Sequence, residues 1–515
     1  MSSSILDDSI AAPEQGAAPA TSPAERTRSL LLIGLLTVAG AILWTWELGS
    51  KSLYRDEAFT ASTVLRPWRD LLSFSIEHEA NGALHAALLR FVAIFGDGEA
   101  TLRSVSVLAM AALVPAVAAV AWRLLSPRVA VLAGALIVVN GSVAGYAQNA
   151  RTYALSMLLA TVATLFFVLD VEQPRRWTIV SFWGAGVLLA YSHIVGLLLL
   201  AALVGSLWFL PPDQRLMKRR VLASGLIVLA SLPMAYLIAT HDEGQPVSGF
   251  RLGAFRDVLF TMTGRAGVIG VLLTLALGLL ALQITVRVWK QGLHSREAWG
   301  HGVLILWAAL PGLLLAVTSP VSPPLVIGRY LLFCLPGLAI YEALGVSGLV
   351  ERMGRRNPSA GWQRVAVASV VLALSAYGVA YWYNDGGEEN WRKTTDTVLS
   401  AAQPGDRVLF ANDSVRLFFE YYRRFDPNAT LPEPVYPAGP WGSFETGDQT
   451  YESFDSSVID EVVSEPTGRV WVVIGRNHDH VEDIDDVIAG LAPAYSNDQT
   501  LHFKGDIEAQ LWVPT

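Results

Sequence analysis

Long apolar runs separated by short polar ones dominate the chain, and their lengths predict its fold. Eleven runs are long enough for helices that cross a membrane: about 29–46, 101–124, 129–146, 152–170, 177–191, 193–210, 221–239, 266–286, 301–318, 329–347 and 364–383. The fifth runs almost directly into the sixth at Ser192–His193, as a tight hairpin or one interrupted segment. A long first loop, 47–100, holds two more patterned stretches. Trp68 to His78 is amphipathic at helical spacing, and Gly82 to Phe95 is apolar but short for a span. Both are expected as helices lying along the membrane face, held there by Trp68 and Phe74. Counting the second as a span would invert every later loop and put the basic ones outside.

The pattern changes at residue 384. PGDRVLF at 404–410, RVWVVIG at 469–475 and IEAQLWVP at 507–514 are β-rich apolar runs, and 392–402 and 482–491 have helical patterns. Alternating helix and strand predicts a small α/β domain over 384–515. Residues 1–28 are rich in Ala, Ser and Pro without an apolar centre, which predicts a disordered tail and not a signal peptide. The expected fold is therefore mainly α: a polytopic transmembrane bundle, 29–383, with a small C-terminal α/β domain.

Composition agrees. The chain is 52% hydrophobic and 16% charged, with mean hydropathy +0.41, as expected of a polytopic membrane protein. Its one cysteine, Cys334, rules out an intrachain disulfide and a zinc-thiolate cluster. Charge adds orientation. Basic residues recur in alternate loops, at Arg123 and Arg128, Arg175 and Arg176, Arg215 to Arg220, Arg287 to Arg296, and Arg352 to Arg364. Placing these inside puts the N-terminus in the cytoplasm and the C-terminal domain outside. From Asn384 onward 24 acids face 9 bases, while the remainder has 21 acids and 28 bases. The acidic domain argues against nucleic acid as a partner.

Candidate chemistry gathers on the outer side. LYRDEAFTA, Leu53 to Ala61, sets Asp56 and Glu57 beside Arg55 just after the first apolar run. Carboxylates at a membrane surface face water, a cavity or a cation, so the pair is a candidate general base or metal holder. Glu77, His78, Glu79 and His85 follow, as ligands, substrate contacts or an ordinary wet loop. YAQNARTYAL, Tyr146 to Leu155, surrounds Arg151 with Tyr146, Gln148, Asn149 and Tyr153, where the guanidinium suits a phosphate or snorkels to the interface. His193 lies at the same side, as do Arg329 and Tyr330 after a Pro-rich loop. His478 and His480 read as part of a solvated acidic loop.

Together these motifs resemble the GT-C superfamily of polytopic glycosyltransferases, and within it bacterial family 39-like (protein mannosyltransferase-like) proteins. RDEAFT matches the family's acidic pair, and Glu79-Ala80-Asn81-Gly82-Ala83-Leu84-His85 its amphipathic helix start, without the tandem prolines. Phe95–Gly96, Glu99 and Leu102–Arg103 follow the family order. Tyr146 to Tyr153 is similar to YSQEARxY, with Asn149 where the family has an acid. His193, then Arg329, Tyr330 and Pro336, and the ENWR…PGDRVL stretch complete the likeness. The resemblance implies a polyprenyl-phosphate sugar donor and transfer on the outer face with inversion. Asp56 would be the base or metal-holding group with Glu57 beside it. Arg55, Glu79, His85, Tyr146, Gln148, Arg151, Tyr153, Arg329 and Tyr330 would contact substrate. A divalent cation is a candidate cofactor, with Asp56, Glu79 and His193 as its ligands. The Ala-rich, Arg-over-Lys composition is of actinobacterial type, which makes mannose and arabinose the leading sugars. Acceptors in this class are glycans, lipids or proteins. A transporter of lipid-linked sugars and a non-catalytic cell-envelope assembly subunit are the alternatives. The absence of an internal repeat counts against the first, and the retained Asp56 against the second.

Overall fold

Helices that are apolar on every side need protein or lipid all round, and the observed helices divide on that basis. A computed structural model describes residues 22–77, 80–241, 252–318, 326–356, 361–385, 389–411, 413–442, 457–476 and 481–515. The helices in chain order are α1 (Pro23–Thr45), α2 (Arg55–Val64), α3 (Trp68–Glu77), α4 (Ala83–Val92), α5 (Glu99–Leu124), α6 (Pro127–Val138), α7 (Gly141–Ala147), α8 (Tyr153–Glu172), α9 (Arg176–Ser192), α10 (Leu198–Ser206), α11 (Met217–His241), α12 (Leu252–Met262), α13 (Gly267–Gln291), α14 (Arg296–Thr318), α15 (Leu335–Arg356) and α16 (Gly361–Asp385). α5, α8 and the 328–353 stretch are mostly buried and form the centre of the bundle. α1, α13 and α16 leave most of their apolar surface uncovered, which suits contact with lipid.

All eleven apolar runs are helical, but they are not eleven equal spans. Among the described residues eight helices are long and apolar enough to cross a membrane, so this is a multi-pass membrane protein. The pair α6 and α7 is apolar enough taken together but is bent by 61°, as a broken span or a re-entrant loop. The bend has a local cause. The Asn140 side chain accepts from the Ser142 and Val143 amides at 3.0 and 3.1 Å, an N-cap that starts a new helix in a new direction. The fifth and sixth runs are α9 and a shorter apolar stretch, Ile194–Phe209, separated at His193. α1 begins at Pro23, capped by Ser22 and Glu25, inside what the sequence suggests is tail; residues 1–21 lie outside the described set. The first loop contains both expected helices, as α3 and as α4 with a 3₁₀ turn through Phe95.

After α16 the chain forms α17 (Trp391–Ala401), β1 (Arg407–Phe410), α18 (Asp413–Arg423), β2 (Glu433–Tyr436), α19 (Ser457–Ser464), β3 (Val470–Gly475), α20 (Val481–Leu491), β4 (Tyr495–Phe503) and β5 (Ile507–Pro514). The sheet order is β2-β1-β3-β5-β4. β1 runs parallel to β2 and β3, and β5 antiparallel to β3 and β4. Alternation along the strands gives the sheet two apolar faces. Leu409, Val470, Val472 and Ile474 pack with residues of α19 and α20. Val408, Phe410, Trp471 and Val473 share a core with α17 and α18, and that core continues into Leu53, Ala58, Ala61, Leu89 and Leu102 of the membrane part. The α/β domain is thus packed onto the first loop.

Candidate functional site

The acidic pair sits in the first turn of α2, where the helix dipole favours negative charge. Its two members differ completely. Glu57 is buried, 1% exposed. It accepts from Arg103 Nε at 2.9 Å and Nη2 at 2.7 Å, from the Ala150 amide at 2.7 Å and from the Tyr54 amide at 3.3 Å. A bidentate guanidinium with two amides satisfies a buried carboxylate and locks its position. Asp56 is half-buried, and its carboxylate has no hydrogen bond or ion pair among the described residues. It lies close enough to Tyr54, Tyr153 and Arg329 to couple electrostatically with all three.

A cavity of ≈ 210 Å³ opens beside this turn. Tyr54, Glu57, Tyr146, Gln148, Asn149 and Arg329 line it, with Lys51, Arg265, Trp382 and Glu389. Lys51, Arg265 and Arg329 make it a site for an anion. Arg265 comes from a turn of unusual geometry. Gly264, Arg265 and Gly267 have φ of 75°, 54° and 61°. The turn approaches as closely as it does because its neighbours are glycines. A Cβ on Gly378 of α16 would lie 1.9 Å from the Gly264 carbonyl oxygen, and one on Gly141 of α7 would lie 2.4 Å from it.

The remaining expected residues gather next to the cavity. Arg151 donates from Nη1 to Thr60 Oγ1 at 3.1 Å and to the Asp56 carbonyl at 3.4 Å, so it holds α2. Tyr146, Tyr153, His193 and Tyr330 form a chain of rings with centroid separations of 5.3, 5.9 and 5.0 Å. Both His193 ring nitrogens are buried without a hydrogen-bond partner among the described residues. His85 is buried nearby, and burial, with the Arg151 charge second, pushes its pKa down to about 3, so it is neutral. Asn149 donates to the Tyr54 hydroxyl at 2.9 Å, while burial first and the Asp56 charge next raise the Tyr54 phenol well above its ordinary value.

Some expectations change. Glu57 is not open to substrate, because all its bonding capacity goes to Arg103 and the two amides. The Gln148 side chain lines the cavity but is spent structurally. It donates to the Trp44 and Trp46 carbonyls and accepts from Trp382 Nε1 at 2.8 Å. Arg55 opens α2 without lining the cavity. Glu79, with His78, His478 and His480, lies outside the described residues. Among the described residues no three His, Cys, Asp or Glu side chains gather to hold a metal. Of the three residues expected as metal ligands, Asp56 and His193 are described and Glu79 is not. Sequence reasoning missed Tyr54, Lys51 and Arg265. The Gly-Arg-Ala-Gly turn before the eighth apolar run, a cation between two glycines, was the available signal for Arg265.

The geometry can be set beside known proteins. Residues 82–238 match the family model described as dolichyl-phosphate-mannose-protein mannosyltransferase. No curated protein sequence matches the chain. Among solved structures the chain is similar to ArnT from Cupriavidus metallidurans bound to undecaprenyl phosphate, with 14% identity and TM-score 0.59, covering 93% of this chain and 97% of that one. It is also similar to the archaeal oligosaccharyltransferase AglB from Archaeoglobus fulgidus in complex with an inhibitory peptide and a dolichol-phosphate, with 12% identity and TM-score 0.55, covering 95% and 74%. The Archaeoglobus fulgidus oligosaccharyltransferase in complex with Zn and sulfate gives 12% identity and TM-score 0.54, covering 92% and 72%.

Proposed function

We propose, on the premise that this chain has the fold of the GT-C glycosyltransferases, that it moves a sugar from a polyprenyl-phosphate donor to an extracytoplasmic acceptor. Mannose and arabinose are the leading donor sugars, and the acceptor is the hydroxyl of a glycan, lipid or protein. The N-terminus is cytoplasmic, and the C-terminal domain and the cavity face outward.

The observation that carries this reading is the split within the acidic pair. Glu57 lines the cavity but is consumed by the fold. The Asp56 carboxylate does not itself line the cavity, has no partner among the described residues, and couples with Arg329, which does line it. The Asp56 carboxylate takes the proton of the acceptor hydroxyl as that oxygen attacks the anomeric carbon. The bond from the anomeric carbon to the phosphate oxygen breaks, and the polyprenyl phosphate leaves with the electron pair. Arg329 and Arg265 bind the donor phosphate. Attack opposite the leaving group inverts the anomeric centre. Glu57 and Arg151 position α2 and touch no reacting atom.

The test is transfer from a panel of radiolabelled polyprenyl-phosphate sugars, with purified full-length protein in nanodiscs. Transfer that Asp56→Asn abolishes in a folded protein supports the proposal. A folded Asp56→Asn with wild-type transfer moves the base elsewhere. Failure of the wild-type protein with every donor, combined with passage of a lipid-linked sugar across the bilayer, would replace the reading with a transporter.

A further inference from the structure

Residues 48–54, between α1 and α2, carry no regular structure and lead directly into the first turn of α2, where Asp56 sits. Their backbone is held almost completely by side chains. Arg103 of α5 donates to the Leu48 carbonyl at 3.0 Å, to Lys51 at 2.9 Å and to Ser52 at 3.0 Å. The carbonyls between these belong to Arg392 of α17, which reaches Gly49 at 2.8 Å and Ser50 at 3.5 Å. Five consecutive carbonyls are therefore shared between two guanidiniums, one from the bundle and one from the C-terminal domain. The Leu53 amide donates to the Tyr422 hydroxyl of α18 at 2.7 Å. Tyr422 in turn donates to Glu99 Oε1 at 3.0 Å, and Arg392 pairs with the same carboxylate. The Arg392 amide donates to Ser52 Oγ at 3.1 Å. Arg392 is placed by its neighbours, since Asn390 caps α17 and Trp391 is stacked on Phe418 at 4.3 Å.

We infer that Arg392 and Tyr422 are positioning residues for Asp56, and that the C-terminal domain acts in catalysis by clamping the 48–54 strap from outside. The second half of this inference rests on the proposed role of Asp56; the first half does not. A covering domain of purely structural use would need contacts with the bundle. It would not need to divide the carbonyls of this one strap with Arg103. Other contacts provide a comparison. Arg424 pairs with Asp97, and the Tyr421 hydroxyl donates to the Asp97 carbonyl, docking the domain on the turn before α5 without a bond to the strap itself.

The experiment uses the full chain in nanodiscs with Arg392→Ala, Tyr422→Phe, their double variant, and Arg424→Ala as a docking control. Amide hydrogen exchange over residues 48–60 is compared with exchange in β3 and β5. The clamp predicts that the double variant raises exchange over 48–60 at least about ten-fold while β3 and β5 stay protected, and that Arg424→Ala leaves 48–60 unchanged. Transfer from the radiolabelled polyprenyl-phosphate sugar used by the wild type should fall about ten-fold in kcat with a smaller change in donor KM, since Arg265 and Arg329 lie outside the strap. Arg392→Lys should recover little, because a point charge cannot serve two carbonyls and Glu99 together. Unchanged exchange over 48–60 in the double variant overturns the clamp whatever the activity. Raised exchange with unchanged kcat overturns its catalytic role. If the wild type transfers no sugar, the functional reading fails, and the exchange result still decides the clamp.

Discussion

Two adjacent carboxylates with the same intrinsic chemistry end in different states because helical geometry points them in different directions, about 100° apart around α2. Glu57 points into protein and meets Arg103; Asp56 points toward the ring chain and Arg329. Asp56→Asn should therefore lower the transfer rate by about 10²–10⁴-fold with little loss of thermal stability. Glu57→Gln should destabilise the protein by about 3–5 kcal/mol, because it leaves the buried Arg103 guanidinium without its counter-charge. A thermal-shift comparison of the two variants checks both; equal melting temperatures would mean that the Arg103 pair contributes nothing to the fold. Arg329→Ala should raise donor KM more than it lowers kcat, since a cation on ground-state phosphate binds substrate and transition state alike. Steady-state kinetics with the lipid donor decide it. At this scale the sequence singled out Asp56, Arg151 and Arg329, and the structure brings all three around Tyr153. The sequence was not legible for Glu57, whose partner lies 46 residues away. Nor was it for Gln148, whose amide is consumed by the carbonyls of Trp44 and Trp46 and the indole of Trp382.

Among elements, the meeting of α7, α16 and the 263–267 turn decides whether Arg265 reaches the cavity. A methyl group on Gly378 would strike backbone, which cannot rotate away. Gly378→Ala should push the turn back, weaken donor binding and cost about 1–3 kcal/mol of stability. Binding of undecaprenyl phosphate by native mass spectrometry, beside a melting curve, measures both effects. In the C-terminal sheet, Glu508 of β5 is held below its ordinary pKa mainly by hydrogen bonds from Arg476. A depressed folded-state value means that this pair stabilises the domain above the ordinary carboxylate pKa of 4.5, and that the gain is lost as pH falls through the lower folded value. Arg476→Ala should therefore flatten the loss of stability on acidification below about pH 4.5 and lower stability above it, read from melting curves across pH 3 to 7. Element types followed directly from periodicity, including the two helices of the first loop. Their interruptions did not: the 61° bend at Asn140 depends on a single side-chain cap that an apolar window averages away.

For the whole molecule, the alternation of basic loops predicts that the C-terminal domain faces away from the cytoplasm. A reporter active only in the cytoplasm, fused after Trp512, should stay silent. Strong signal would mean that one of the helical stretches expected to cross does not, with the shorter Ile194–Phe209 stretch the first suspect. The packing of the domain on the first loop was beyond the sequence, since shared apolar cores carry no pattern that names the partner surface.

The strap between α1 and α2 also imposes an order on biosynthesis. Its amide at Leu53 closes on a hydroxyl 369 residues further along the chain, and its carbonyls wait for a guanidinium about 340 residues away. Contacts of such separation form late, after the intervening helices have been inserted. A nascent chain can thus assemble its bundle while Asp56 is still unset. Residues made late thus supply the final contacts of a loop made early.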